Sequence, residues 1–434
     1  AFGKTAVTTP VFTGSVPSTL ADIRMPRPET WEKPREARMV PRERAAHAFE
    51  ETVRQQIDPA LAEWTGAGIF RVQVYPLEPK TLHRIVIAYD TDLHPRADDL
   101  LYRLDLPPGV KDVHVDLEGH GGTIAVAPKA PAVDGIHRWH NPQQRVIVAG
   151  FRHPDHLMLQ GTDPGTGPYF AGHARPRIPE LPAAPRDRAV FLVDTSLSSN
   201  PERMNTWLAL MREVLTRNRP QLKQFAVLFF DVNVSWWRDG FTTNTPAHVD
   251  ALMRDANALA LEGATDLGRA LRAGASKTGA YDVFLLSDGA ATWGEADLHV
   301  LSHTLGGDHT LFAYRTAVAG TQVAALNQLA RTTGGAVFNV PSPQATAKAA
   351  LAHRSQPWRI IEASVEGGSD VLLAGRPTTL YPGQMLRVAG RGHPKANARL
   401  TLELEQNERR ITVRTVLGKP LRSPLAARAY GQIA

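Results

Sequence analysis

Proline is the residue whose placement most constrains how this chain can fold. Because proline lacks an amide hydrogen and fixes φ, it interrupts helices and central strands. Of the 33 prolines, 22 lie in residues 1–185, three in residues 186–340 and eight in residues 341–434. The middle window is therefore predicted to be a compact domain of regular helices and strands. Its flanks are predicted to be irregular, rich in edge strands or linker-like.

Composition excludes several classes of protein. The 434 residues contain no cysteine, so disulfide frameworks, thiolate metal sites and cysteine nucleophiles are ruled out. The net charge is +6, but no run of five to eight Lys or Arg residues occurs, and we expect no nucleic-acid partner. No apolar run approaches the ~20 residues of a membrane-spanning helix. We therefore expect no membrane span in this chain.

Short apolar runs alternate with helical patterns through residues 189–340. Ala189–Asp194, Phe225–Phe230 and Tyr281–Ser287 have the continuous apolar character of buried parallel strands. Pro201–Asn218 carries its apolar residues on one helical face. This alternation predicts an α/β fold, in which a doubly wound, Rossmann-like parallel sheet is covered by helices on both faces.

The flanks show a period of two, which is typical of β-strands. Ile69–Tyr75 and Leu82–Tyr89 are predicted to form a hairpin, after a helix that ends near Gln56. The predicted organisation has five segments: an extended segment 1–40, a β-rich domain 41–160, a linker 161–188, the α/β domain 189–340 and a sandwich-like region 341–434. After residue 358 the alternation of apolar and polar residues that is typical of β-strands returns. One question stays open, namely whether the α/β domain is inserted between two halves of one sandwich.

Oxygen-bearing side chains cluster at the predicted carboxyl ends of the middle strands, where ligands bind in open α/β sheets. These donors are carboxylates and hydroxyls, which suit Mg²⁺, Mn²⁺ or Ca²⁺ and not softer metals. We expect one divalent cation there, with a coordination position left for water or an incoming carboxylate. The predicted metal ligands are Asp194, Ser196, Ser198, Thr265 and Asp288, and the predicted rim of the ligand site is Thr195, Asp266 and Gly289.

At these residues the chain resembles the von Willebrand factor A domain family and its metal-ion-dependent adhesion site. The matching motifs are D-x-S-x-S at 194–198, the threonine of G-A-T-D at 265 and S-D-G at 287–289. Asp266 stands where that family commonly has asparagine, a difference that affects local charge more than ligation. The resemblance implies a bound Mg²⁺ that grips an acidic side chain of a protein partner.

The N-terminal flank resembles a second family. Arg44–Trp64, followed by Ile69–Tyr75 and the strand to Tyr89, looks like the second half of a vault/inter-α-trypsin inhibitor (VIT) domain. In inter-α-trypsin inhibitor heavy chains such a domain precedes a von Willebrand A domain. This resemblance, together with a chain that starts at Ala1 and so is expected to be processed or cut from a longer protein, predicts an extracytoplasmic location: secreted, periplasmic or at the cell surface.

The sequence is compatible with three functions. The leading hypothesis is a metal-ion-dependent protein-binding or adhesion module that is not an enzyme, because no general base or nucleophile accompanies the oxygen cluster. Its partner would be a protein that offers an Asp or Glu carboxylate. The alternative is a structural building block of a cell-envelope or surface assembly with a non-essential metal site, and self-assembly is left open. An enzyme that uses the metal for phosphoryl or hydrolytic chemistry is the third.

Two histidine pairs have the spacing H-x-x-H, His137/His140 and His153/His156. On a helix this spacing can place two zinc ligands together. The surroundings contain Pro142 and Pro154, which favour loops over helices. Scattered surface histidines are therefore the preferred interpretation, with a zinc site as the alternative.

Overall fold

The structure is a computed structural model that describes residues 51, 60–66, 69–74, 93–96, 99–107, 109–119, 123–152, 157–183, 186–306, 309–316, 320–340, 346–423 and 425–433. Eleven strands precede the middle window: β1 Ala60–Gly66, β2 Ile69–Val74, β3 His94–Arg96, β4 Asp99–Asp105, β5 His114–Glu118, β6 Thr123–Ala127, β7 Ala132–Val133, β8 Ile136–His140, β9 Val146–Arg152, β10 Leu157–Asp163 and β11 Gly167–Ala174, counted over the described residues.

The middle window contains strands and helices in alternation. Its strands are β12 Arg188–Asp194, β13 Gln224–Phe230, β14 Val234–Trp236, β15 Thr242–Thr243, β16 Asp282–Leu286, β17 Thr310–Thr316 and β18 Ala336–Val340. Its helices are α1 Pro201–Arg217, α2 Pro246–Asn257, α3 Leu267–Gly274, α4 Leu298–His303 and α5 Val323–Thr332.

The last part of the chain contains a short helix, a second set of strands and a terminal helix. These are α6 Thr346–Ala349, β19 Trp358–Val365, β20 Gly368–Leu373, β21 Thr379–Leu380, β22 Leu386–Gly392, β23 Arg399–Gln406, β24 Arg409–Val416, β25 Pro420–Arg422 and α7 Leu425–Ile433. None of the helices in the described part of the chain has the length and apolar character needed to cross a membrane.

The chain divides into two units. The first consists of Ala1–Asp92, Lys111–Glu118 and Pro131–Pro142, and the second of all other residues. The predicted domain 41–160 is thus divided, because β3, β4, β6 and β9 belong to the second unit, where they form one sheet in the order β3-β4-β9-β6. Strand alternation shows that a segment is extended, but it does not show which partners the segment pairs with.

The first unit contains two small sheets among its described residues. One is the antiparallel pair β1-β2, in which Ala60 is opposite Val74, and the other has the order β5-β8-β7. The predicted strand at Ile69–Tyr75 is present as β2, and among the described residues it pairs with the preceding strand β1. The predicted partner, Leu82–Tyr89, and most of the predicted helix before it lie outside the described residues.

A single sheet organises the middle window, and its strand order is β14-β13-β12-β16-β17-β18, with β15 also paired to β13. Strands β13, β12, β16, β17 and β18 are parallel, and β14 and β15 are antiparallel additions. Alternate residues of β12 face opposite cores. Phe191 packs with Trp207 of α1, whereas Leu192 packs with Leu271 of α3. The predicted α/β fold class is confirmed, because helices cover both faces of a mainly parallel sheet.

The strands on either side of the middle window form one β-sandwich. Strands β10 and β11 lie in a five-stranded sheet with three C-terminal strands, in the order β20-β22-β11-β10-β25, and the facing sheet has the order β21-β19-β23-β24. The two sheets share a core in which Met158 and Phe170 from before the window pack with Trp358, Val388 and Leu402 from after it. The α/β domain is therefore an insertion between two parts of one sandwich, a point on which the sequence left both possibilities open.

The predicted linker 161–188 is wrong over its first half, which belongs to the hairpin β10-β11. The stretch 163–167, rich in glycine and proline, closes this hairpin, and one side chain organises it. The Oδ1 atom of Asp163 accepts hydrogen bonds from the amides of Gly165 and Thr166, at 3.0 and 2.9 Å. Such side-chain turns explain how a composition typical of linkers can instead connect two paired strands.

Candidate metal-binding site

Asp194 is the last residue of β12, and its side chain is buried at the carboxyl edge of the sheet. Its Oδ1 accepts a hydrogen bond from the Ser196 amide at 3.0 Å, and its Oδ2 accepts one from the Ser287 hydroxyl at 2.7 Å. Ser199 donates to the Asp194 carbonyl oxygen at 2.8 Å. These contacts hold the carboxylate in one orientation at the point where two neighbouring parallel strands end.

The two serines of the D-x-S-x-S motif bring their hydroxyls together. The Oγ atoms of Ser196 and Ser198 are 3.0 Å apart. Ser196 is buried, whereas Ser198 is exposed. The oxygen donors therefore extend from the buried carboxylate of Asp194 to the protein surface. A cation bound to them would be accessible to solvent on one side.

Thr265 lies in a turn that is bonded to the Asp194 loop. The amide of Leu197 donates to the carbonyl of Gly263 at 3.2 Å, and the amide of Glu262 donates to the carbonyl of Thr195 at 3.0 Å. Thr265 itself is buried. The structure thus places the second predicted motif beside the first, through backbone hydrogen bonds between the two loops.

Asp288 follows β16 and is also buried. Its carboxylate forms an ion pair with Arg203, a residue that the sequence motifs do not include. The Nη1 atom of Arg203, from α1, lies 3.0 Å from Asp288 Oδ2, and both side chains are at most 2% exposed. The amide of Ala290 donates to Asp288 Oδ1 at 2.9 Å. Arg203 lies above the Trp207 ring, 5.9 Å from its centroid. Its position could have been found, because it precedes the buried Trp207 by four residues on the same helical face.

Burial and charge make the Asp194 carboxylate costly without a further cation. Desolvation, followed by repulsion from Asp288, raises the pKa of Asp194 to about 6, although hydrogen bonds from Ser196 and Ser287 oppose that shift. Burial lowers the pKa of the Arg203 guanidinium, and the two carboxylates counteract this. Two carboxylates and one guanidinium leave a formal charge of −1. A small divalent cation fits this donor set, since it prefers oxygen ligands and would offset the remaining negative charge.

Ser287 is a further residue that the sequence analysis did not include among the ligands. Its hydroxyl donates to Asp194 and also accepts a hydrogen bond from the Gly289 amide at 3.0 Å. Ser287 therefore connects the first and third motifs directly. The signal was available, because Ser287 belongs to the S-D-G motif that the sequence analysis recognised.

The three predicted rim residues make architectural contacts in the structure. The Thr195 hydroxyl donates to the Phe230 carbonyl at 3.1 Å, and Asp266 caps α3 by accepting from the Arg269 amide at 2.8 Å. Gly289 has a φ of +77°, and a Cβ there would lie 3.0 Å from a side-chain carbon of the packed helix α5. Helix capping and a left-handed turn account for Asp266 and Gly289, and their role in binding a ligand stays a prediction.

Two large apolar side chains are exposed beside the site. Leu197, between the two motif serines, is 71% exposed, and Trp293 is 62% exposed. The amides of Thr292 and Trp293 both donate to the Thr265 carbonyl at 3.1 Å. Exposed apolar side chains therefore lie next to the oxygen cluster in two places, Leu197 within the motif at 194–198 and Trp293 beside Thr265.

No family model matches the chain, and no curated protein sequence matches it. Among solved structures it is similar to a von Willebrand factor type A protein from Catenulispora acidiphila, with 14% identity, 80% of each chain covered and a TM-score of 0.35. It is also similar to the ArnB paralog VWA2 from Sulfolobus acidocaldarius, with 12% identity, 63% and 74% covered and a TM-score of 0.29.

A third similar structure is the pilus adhesin SpaC from Lactobacillus rhamnosus GG in its open conformation, with 10% identity, 61% of this chain and 47% of that chain covered, and a TM-score of 0.31. All three TM-scores are below 0.5, so the fold assignment rests on the strand order of this chain. The resemblance of the N-terminal flank to a VIT domain and to inter-α-trypsin inhibitor heavy chains is confirmed by none of these matches and stays a prediction.

Proposed function

We propose that the inserted α/β domain is a divalent-cation-dependent protein-binding module, of the kind used in adhesion, and not an enzyme. One observation carries the proposal. The buried carboxylate of Asp194 is fixed by Ser287 next to the paired hydroxyls of Ser196 and Ser198, and this donor set opens to solvent at one side. Oxygen donors of this kind bind hard cations such as Mg²⁺.

Asp194, Ser196, Ser198 and Thr265 would hold the cation, which we propose to be Mg²⁺, with Mn²⁺ or Ca²⁺ as substitutes. Asp288 would contribute its charge from further away, because its two oxygens already accept hydrogen bonds from Ala290 and Arg203. The bound cation would supply an open coordination position that attracts a carboxylate of the partner protein. The protein's own part is to keep the ligands oriented and partly shielded from water.

The partner chemistry follows from the surroundings of the site. A partner segment with an Asp or Glu next to apolar residues could place its carboxylate at the cation and its apolar side chains on Leu197 and Trp293, which are already exposed. Large apolar side chains at an interface provide much of its binding energy. We include an extracytoplasmic location in this proposal, since such a module acts on other proteins or surfaces.

The alternative function, a building block of a surface assembly with a non-essential metal, is favoured by one contact. Arg203 already meets the charge of Asp288 inside the protein, so the fold does not depend on a divalent cation to neutralise that carboxylate. Under this alternative, self-assembly and thermal stability would be unchanged by a chelator.

A peptide-display selection distinguishes the two functions. The chain, immobilised in buffer with Mg²⁺, would be used to select from a library of random peptides, and enriched peptides would be measured again with EDTA. We expect enriched peptides to contain Asp or Glu, to lose binding in EDTA and to bind the Trp293→Ala variant more weakly. Enrichment of peptides without carboxylates, whose binding ignores EDTA, would contradict the proposal.

A further inference from the structure

A second group of ligating side chains lies in the first unit, on the sheet β5-β8-β7. Asp112, His114 and His140 each offer one ligand atom, and these atoms all lie within 4.8 Å of one another. Among the residues that the structure describes, this is the one group of three or more His, Cys, Asp or Glu side chains with that property. It contains none of the residues of the candidate metal-binding site at Asp194.

The pairing of two antiparallel strands creates this group. His114 at the start of β5 is directly opposite His140 at the end of β8, and directly opposite side chains lie on the same face of a sheet. Asp112 precedes His114 by two residues in the sequence. The two imidazole rings are stacked, with centroids 4.2 Å apart and an interplanar angle of 15°. The topology therefore brings together residues that are distant in the sequence.

Distances within the group match those between ligands of one metal ion. His140 Nε2 lies 2.8 Å from Asp112 Oδ1, and His114 Nε2 lies 3.4 Å from Asp112 Oδ2. Ligands at about 2.0–2.2 Å from a tetrahedral zinc ion lie about 3.3–3.6 Å from one another. The His114 distance agrees with this, and the His140 contact is a hydrogen bond that a metal ion would replace.

The backbone near the group is held by a neighbouring asparagine. The side chain of Asn141 accepts a hydrogen bond from the Val113 amide at 2.7 Å and donates one to Asp112 Oδ1 at 3.1 Å. A backbone bond from the Asn141 amide to the Val113 carbonyl, at 2.8 Å, closes the same end of the strand pair. Asn141 thus orients Asp112, as residues next to metal ligands commonly do.

Metal ions can reach the group from solvent. The side chains of Asp112, His114 and His140 are 64%, 68% and 62% exposed. Two imidazoles and one carboxylate are a mixed nitrogen and oxygen set, which suits Zn²⁺ and other late transition metals and differs from the oxygen-only set of the α/β domain. Three protein ligands leave a fourth position for water or for an external ligand.

The H-x-x-H spacing pairs His140 with His137, as the alternative to scattered surface histidines. His140 does belong to the group, but its partner is His114 and not His137. His137 and His140 are three positions apart in the strand β8. Because side chains alternate along a strand, these two face opposite sides of the sheet. The second pair, His153/His156, lies outside the described residues.

We propose that Asp112, His114 and His140 form a surface binding site for a late transition metal ion, and that zinc is the most suitable ion. This site shares no residue with the candidate metal-binding site at Asp194. The proposal does not depend on the proposed function, because it involves different residues and a different class of metal.

Zinc titration by calorimetry tests this proposal on the full chain in the Asp194→Ala background, which removes the other candidate site. His140→Ala and His114→Ala are the test variants, and His137→Ala, on the same strand but its opposite face, is the matched control. We expect one zinc ion per chain in the background and control proteins. Affinity should fall by about 10–100-fold or more in the test variants, because even residues behind the ligands affect metal affinity by that factor.

The chain has 16 histidines, so a further arm identifies which of them bind. The rings of His299 and His303 in α4 are 4.5 Å apart and could bind zinc as a pair. Visible absorption of Co²⁺, used as a spectroscopic probe, should be lost in His140→Ala and kept in His303→Ala. Zinc affinity that is equal in the background protein and in both test variants, or that falls only in His303→Ala, would overturn the proposal.

Discussion

The pair of Arg203 and Asp288 gives a prediction whose magnitude follows from burial. Both side chains are at most 2% exposed and lie 3.0 Å apart, so Arg203→Met would leave a buried carboxylate without its cation. Removing one partner of a buried ion pair costs about 3–5 kcal/mol. We therefore expect the free energy of unfolding of the α/β domain to fall by that amount, measured by urea denaturation in buffer with EDTA.

The same helix provides a matched control. Arg212 pairs with Asp250 at 3.1 Å, but these side chains are 49% and 55% exposed. Exposed pairs contribute about 0–1 kcal/mol, so Arg212→Met should change the free energy of unfolding by no more than that. The contrast between two Arg→Met changes on one helix isolates the effect of burial.

Added Mg²⁺ extends this prediction to the site itself. In Arg203→Met the cation would meet both carboxylates alone, so it should bind more tightly than in the native chain. A ligand at 100 times its Kd stabilises the folded state by about 2.7 kcal/mol, and we expect Mg²⁺ to restore more stability to Arg203→Met than it adds to the native chain. Equal losses in the two Arg→Met variants, or a Mg²⁺ effect that is no larger in Arg203→Met, would refute the reasoning.

Two further predictions concern the packing of the α/β domain away from the site. Burial lowers the pKa of His353 to about 3, so below about pH 6.5 the unfolded chain takes up a proton that the folded chain does not, and stability should fall by up to about 1.4 kcal/mol per pH unit toward pH 3. The free energy of unfolding, measured by urea denaturation at several pH values in that range, should depend less on pH in His353→Leu than in the native chain. An equal dependence on pH in the two proteins would contradict the lowered pKa of His353. A Cβ at Gly335 would lie 1.9 Å from the Leu311 carbonyl oxygen, whereas one at Gly431 meets nothing within 4 Å. Gly335→Ala should therefore cost about 1–3 kcal/mol of unfolding free energy, and a melting temperature equal to that of Gly431→Ala would count against the close approach.

Much of the α/β domain can be predicted because its signals are local and redundant. Continuous apolar runs such as Ala189–Asp194 mark strands that are buried on both faces, and the apolar face of Pro201–Arg217 marks a helix against them. The motifs at 194–198 and 287–289 follow from the same pattern, because parallel strands end at one edge of the sheet. The strand pattern alone therefore predicts that Asp194 and Asp288 lie at the same edge.

The rest depends on contacts between residues distant in sequence. Nothing near Phe170 shows that it packs with Val388 and Leu402, so the composition around Asp163 predicts a linker where the chain forms a hairpin. The spacing of Arg203 to Trp207 places it on the buried face of its helix, but its contact with Asp288 depends on residues 85 positions apart in the sequence. The pairing of His114 with His140 is a matter of strand register, which a spacing rule within one segment cannot reveal.

Calorimetric titration of Mg²⁺ tests the central claim most directly. The native chain, Asp194→Ala and a control, Asp187→Ala, would be titrated after treatment with a chelator and its removal. Asp187 is an exposed carboxylate that immediately precedes β12, the strand that Asp194 ends. We expect one Mg²⁺ site in the native chain and in Asp187→Ala, and none in Asp194→Ala. Binding of equal affinity in all three proteins, or no binding in any of them, would contradict it.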